Sequence, residues 1–305
     1  MSAAQATSTG GTTRRPNTAA AVQPPPRLEG RQEAVVLLGK GGYGTTPQEE
    51  LDRMAAAVRA SGRYAPVETA FVDQGTPALP QALQRCVDGG ARRILVAPVF
   101  VPMDRSLRIW LPHVLRRWLR RRRVSEVELV LAKPLGDRPS LGAAVLETLA
   151  AADGARGLSQ GVPGDYGNPG WSVIPPYRYQ AFFCTGPRCT TRGAGDLQQQ
   201  LRDRLMERGL ASGADKVHVI RTGCLYPCNL GPAMVVYPEG VWYCALTPRA
   251  IDRIVSEHFA DGQVVQAYTR RPGRRRHTRP EPADPCDPVE DDPPEARRRA
   301  TAPSP

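Results

Sequence analysis

Short apolar runs alternate with longer amphipathic stretches through the first half of this chain, and the periods differ. Residues 34–38, 67–71, 93–97 and 127–131 are compact, β-branched or aliphatic runs that read as strands. Residues 48–60, 78–87, 107–119 and 141–149 carry apolar positions at helical spacing. Repeated strand–helix units with short connections predict an α/β unit: a parallel sheet with helices on both faces. Ligand-binding residues should then lie on the loops that follow the strands, at residues 39–46, 72–76, 99–106 and 133–138.

The second half has a different rhythm. Residues 179–183 and 217–220 read as strands, and residues 197–210 as a helix with Leu197, Leu201, Leu205 and Met206 on one face. Residues 233–237 and 241–245, joined by Pro238, Glu239 and Gly240, read as a hairpin. A closing helix over residues 248–259 has Thr247 as its cap and Pro248 at its first position. The order strand, helix, strand, hairpin, helix is thioredoxin-like, and it places the loops after both parallel strands at one edge of the sheet.

Between the halves, residues 153–178 are Gly- and Pro-rich with no period, a linker whose Trp171, Val173 and Ile174 are expected to anchor it on the second domain. Residues 1–31 and 266–305 lack apolar periodicity and read as disordered tails. The expected divisions are therefore a tail (1–31), a first domain (32–152), a linker (153–178), a second domain (179–265) and a second tail. Composition adds three limits. A hydrophobic content of 41% is ample for packed cores, no apolar stretch is long enough to span a bilayer, and the N-terminus has no secretory apolar region. A cytoplasmic protein without membrane contact is expected. The net charge of +11 comes partly from the two ends.

Four cysteines carry the chemistry. Cys184 and Cys189 lie in FFCTGPRCTTRG, and Cys224 and Cys228 in TGCLYPCNLGP. Pairs this close, on loops containing Gly and Pro, can turn inward onto one centre. A reducing compartment disfavours disulfides. Structural zinc sites usually separate paired cysteines by two residues, whereas these are separated by four and three. Spacing alone leaves zinc and an iron–sulfur cluster both open.

CTGPRC followed by GCLYPCNLGP resembles the thioredoxin-like [2Fe-2S] ferredoxin family, over about residues 179–259. The resemblance implies that Cys184, Cys189, Cys224 and Cys228 bind a [2Fe-2S] cluster, two per iron, with the N–H groups of Gly186, Gly223 and Leu225 as donors to sulfur. Cys86 reads as a small core residue, Cys286 as a solvated thiol, and Cys244 as a hairpin residue outside the set.

The first half suggests a generic flavodoxin-like nucleotide binder, but its GKGGYGTT loop lacks phosphate-loop spacing. The run of LLGKGGYG, VETAFVD, TPALPQAL, GARRILVAPVF, IWLP and LAKPLGDRP more closely resembles the small chelatases that insert metal into sirohydrochlorin, over about residues 33–149. That family resemblance implies metal-binding histidines after the first and third strands. Lys40 and Ser106 stand at those places, so the site is degenerate. A lysine must lose its proton before it can ligate a metal. With a reference pKa about 3.4 units above neutral, this costs roughly 4.6 kcal/mol. Asp104 is a nearby candidate ligand, and Asp73 keeps a carboxylate where the family usually has Glu. His113 should point away from the loop. Lys40, Arg105 and Arg108 are expected to ring the cleft with charge complementary to a polycarboxylate macrocycle.

RRWLRRRR at residues 116–123 finishes a helix, where cations oppose the negative dipole end. No aromatic stacking pattern accompanies it, which argues against nucleic acid. Trp110 and Trp118 are core or dimer-contact residues, since the chelatase resemblance implies pairing as a homodimer. The expected molecule is a degenerate chelatase-like half domain fused to a thioredoxin-like ferredoxin domain. It would transfer single electrons in cobalamin or siroheme synthesis and bind a tetrapyrrole or a pathway enzyme. An active sirohydrochlorin cobaltochelatase and a redox-sensing interaction module are the rival readings. The sequence names no redox partner.

Overall fold

The computed structural model describes residues 33–122, 126–155 and 172–270. The expected tail at 1–31, most of the linker, Cys286 and nearly all of the second tail lie outside these residues.

The N-terminal unit is built from β1 (Glu33–Gly39), α1 (Thr46–Ala60), β2 (Val67–Phe71), α2 (Leu79–Asp88), β3 (Arg93–Pro98), α3 (Arg105–Arg122), β4 (Glu128–Leu131) and α4 (Ser140–Ala151). Its strands are all parallel, in the order β2-β1-β3-β4. Alternation along β1 sends Ala34, Val36 and Leu38 to one face, where they pack with Ile94, Val96, Leu83, Leu111 and Trp118. Val35 and Leu37 go to the other, against Leu51 and Ala55 of α1. Trp110 and Trp118 are core residues, and Cys86 is wholly buried in the same cluster, its thiol pushed up to about 12 by burial.

The second helical face is less complete than the pattern predicts. α4 buries no residue and leaves Val145, Leu146 and Leu149 exposed. Its apolar periodicity correctly marks a helix, but β4 has only four residues and offers little surface to receive it.

The C-terminal unit runs β5 (Tyr179–Cys184), α5 (Pro187–Thr190), α6 (Ala194–Glu207), β6 (Val217–Thr222), β7 (Ala233–Tyr237), β8 (Val241–Cys244), α7 (Pro248–Arg253) and β9 (Thr269–Arg270). The sheet order is β6-β5-β7-β8-β9, with only β5 and β6 parallel. α7 is capped as expected, Thr247 Oγ1 accepting from the Ala250 N–H at 3.0 Å. Beyond Arg253 the expected single helix continues as a π-type coil over Ile254–Ala260, which places His258 among Tyr179, Tyr243 and Phe259.

Two expectations are corrected. Residues 266–270 do not begin a tail: Tyr268 is buried and β9 pairs with β8, because the edge strand still has unpaired backbone groups to satisfy. Val173 and Ile174 do not anchor the linker, and Trp171 lies outside the described residues. Val173 and Ile174 are 65% and 83% exposed, the core beneath being already closed by its own helices.

Candidate metal centre and the neighbouring cleft

Parallel pairing brings the thiols together. Cys184 is the last residue of β5 and pairs in register with Thr222 at the end of β6, so the loops after both strands leave the same edge. The first loop turns at Gly186 into α5, whose third residue is Cys189. The second carries Cys224 and, on a 3-10 turn, Cys228. The loops touch: a Cβ at Gly186 would sit 3.1 Å from Cys224 Cα, and one at Gly231 only 2.5 Å from Cys189 Sγ. Glycine at 231 is required by that sulfur.

The cysteines come as two contacting pairs. Cys224 Sγ and Cys228 Sγ are 3.2 Å apart. Cys189 hydrogen-bonds Cys184, and that bond, helped by the N–H groups of Leu225 and Gly186, holds the Cys184 thiol down at about 6. The same bond, reinforced by burial, pushes Cys189 well up. Burial and the neighbouring Cys224 raise Cys228 to about 11. Tyr226, held at φ +81°, donates its N–H to Cys224 Sγ at 3.3 Å. A non-glycine residue in that region is strained, here in order to aim a donor at sulfur.

Of the three N–H donors expected, Gly186 and Leu225 are in place. Gly223 instead presents its carbonyl, 3.4 Å from Cys184 Sγ. Tyr226 and Ala233 are the donors that sequence missed. Arg192 Nη1 braces the second loop through the carbonyls of Cys228 (3.1 Å) and Gly231 (2.6 Å).

The donor set can be tested against the two open alternatives. Among the described residues, no three His, Cys, Asp or Glu side chains gather closely enough to hold one ion. Two separate sulfur pairs suit two bridged irons better than a single zinc tetrahedron, and N–H donors aimed at sulfur are the usual surroundings of such a cluster. Cys244 and Cys86 are buried elsewhere.

The cleft of the N-terminal unit is poorer in donors. Lys40 is exposed after β1, and Arg105 and Ser106 are exposed at the start of α3. Asp104 is the N-cap of that helix, its Oδ1 accepting the Leu107 N–H at 2.9 Å, which gives its carboxylate a structural task. Asp73 is 7% exposed and its Oδ1 has no hydrogen-bond partner. Burial raises its pKa, Lys40 opposing and Asp104 adding to the effect. Arg108 is already engaged: its guanidinium grips Asp137, on the loop after β4, through two bonds of 2.7 and 2.9 Å. His113 is exposed on α3, and the arginines at 120–122 are its charged last turn.

Known proteins resemble the two units separately. Residues 34–152 match the CbiX family model, and residues 171–258 match that of the thioredoxin-like [2Fe-2S] ferredoxins. A 2Fe-2S ferredoxin of Clostridium pasteurianum is 34% identical over 97 residues, a match covering 29% of this chain and 92% of that one. A sirohydrochlorin cobaltochelatase of Methanocaldococcus jannaschii is 35% identical over 69 residues, covering 23% of this chain and 48% of the other, so the chain spans about half the length of that relative. The crystal structure of the wild-type thioredoxin-like [2Fe-2S] ferredoxin from Aquifex aeolicus aligns at 29% identity with a TM-score of 0.28, over 30% of this chain and 94% of that chain.

Sheet, loops and matches together define an iron–sulfur ferredoxin domain joined to a chelatase-like domain. The chain belongs to the thioredoxin-like [2Fe-2S] ferredoxin family and carries a CbiX-type domain ahead of its ferredoxin domain. A domain of the ferredoxin kind implies a [2Fe-2S] cluster. No helix among the described residues is long and apolar enough to cross a membrane.

Proposed function

We propose that this protein is a one-electron carrier whose front domain recognises a sirohydrochlorin-like tetrapyrrole, or an enzyme bearing one, in cobalamin or siroheme synthesis. Cys184, Cys189, Cys224 and Cys228 are the ligands in this reading. The observation that carries it is the pairing of the four thiols on two touching loops, with Gly231 leaving room for Cys189 Sγ. When bound, the cluster supplies reversible one-electron chemistry. The chain's own part is to hold the thiolates, donate N–H groups to them and bury the Cys184 side while leaving Cys224 exposed. Lys40 offers a cation to a macrocycle carboxylate but no lone pair to a metal, which favours recognition over insertion.

Anaerobically purified protein should contain two irons and two sulfides and, once reduced, give a rhombic EPR signal. Cys189→Ser should abolish or rebuild that spectrum, and Cys244→Ser should leave it intact. A colourless protein holding only zinc overturns the electron-transfer reading. Rapid cobalt insertion into sirohydrochlorin by the wild type overturns the reading of the cleft as a binder that does not insert metal.

A further inference from the structure

The thiol loops of the ferredoxin domain and the strand-end loops of the chelatase-like domain face each other. Gln74, beside Asp73, donates its N–H to the carbonyl of Thr185 at 3.1 Å, and Thr185 directly follows Cys184. Arg221, at the end of β6 just ahead of Cys224, reaches back across the boundary. Its Nη2 donates to Gly42 O at 2.7 Å and its Nη1 to Gln74 O at 3.4 Å. Its guanidinium lies 4.5 Å from the ring centre of Tyr43, whose hydroxyl donates to Arg221 O at 3.3 Å.

Further contacts continue the seam. Arg188, whose charge also acts on Cys228, lies over Trp110 of α3. Gln81 Nε2 donates to Asp196 at 2.9 Å, and a Cβ on Gly195 would come within 2.4 Å of Thr76 Oγ1. Each of these contributions from the front domain comes from the loop after β1, the loop after β2, or the helices α2 and α3 beside them. That is the edge at which a parallel α/β sheet binds its ligands. Asp73, with its unpartnered buried Oδ1, sits next to the bridging Gln74.

We infer that the two domains form one composite site, in which the Cys184 loop is a wall of the tetrapyrrole cleft and Arg221 is the positioning residue that holds it there. A polycarboxylate macrocycle seated by Lys40 would lie beside Gln74, whose N–H is bonded to the buried Thr185, the residue that follows Cys184. The ligand class rests on the function proposed above; the docking of the domains does not. Arg221 suits the task because its planar fork serves two carbonyls from two loops while its face stacks on Tyr43, a combination that lysine cannot reproduce.

The test uses full-length holoprotein, reduced with dithionite, and sirohydrochlorin as a probe without unpaired electrons. Small-angle X-ray scattering should show a larger radius of gyration for Arg221→Ala and Tyr43→Ala than for the wild type. Sirohydrochlorin, its binding followed by fluorescence quenching, should shift the cluster's EPR g values in the wild type. The shift should vanish in Arg221→Ala, with roughly tenfold weaker binding, and be partly restored in Arg221→Lys. Tyr43→Ala, remote from the cysteines in sequence, keeps the test decisive if Arg221→Ala loses its cluster. Unchanged scattering in both alanine variants overturns the docked arrangement. A g shift that persists in them at saturating ligand overturns the role of Arg221. If sirohydrochlorin fails to quench even the wild type, the tetrapyrrole reading falls, while the scattering comparison still decides the docking.

Discussion

The two loop sites of this molecule have the same architectural origin and opposite chemical content. Each lies where adjacent parallel strands end, β1 and β3 in one domain, β5 and β6 in the other. In the ferredoxin domain the site is densely furnished: two sulfur pairs, N–H donors aimed at them, an arginine brace and glycines close against sulfur and backbone. In the chelatase-like cleft the polar groups are spent on structure or left single. Asp104 caps a helix, Arg108 is held by Asp137, Lys40 is solvated and Asp73 is buried without a partner for one oxygen. A shared scaffold edge therefore creates a place for a site, and the side chains decide whether metal chemistry occurs there.

The contrast breaks most easily at Gly231. Gly231→Ala puts a methyl group into the space of Cys189 Sγ, so iron and sulfide content after anaerobic purification should fall by more than half, with unfolding of the ferredoxin domain shifted by about 1–3 kcal/mol. Full cluster content in that variant would show that the thiols are less tightly placed than the geometry indicates.

A smaller effect is expected at Asp73. Its raised pKa means that the folded protein keeps a proton the unfolded chain has released, so stability falls as pH rises above the ordinary value of 3.8 toward the folded pKa. Asp73→Asn, neutral throughout, should flatten that decline in melting curves taken from acid to neutral pH. An unchanged slope would move its cause elsewhere.

The smallest belongs to Arg108. Its pair with Asp137 is solvent-exposed, so Arg108→Ala should leave both melting temperature and sirohydrochlorin affinity within measurement error. A clear loss of affinity would return Arg108 to the cleft.

Most strands and helices were legible in the sequence, because apolar period and cap residues are local signals: Thr247 with Pro248 marks α7, and the alternating face of β1 marks the sheet. That the two cysteine loops leave one sheet edge was legible from their place after two predicted strands. What could not be read depended on partners distant in the chain. Arg221 is an ordinary strand-end arginine until Gly42 and Tyr43 are brought to it, and Arg108 looks like a cleft cation until Asp137 arrives. The π-type coil after Arg253, which sets His258 among three aromatic rings, has no mark in the helical pattern.

Gly195 shows how far the two domains have become fitted to each other. It lies in the first turn of α6 facing Thr76 across the seam, where a methyl group would force the Thr76 hydroxyl to turn away. The ferredoxin half is consequently not a freely interchangeable cassette: a graft carrying a long side chain there would press on the Gly75 backbone as well as on Thr76.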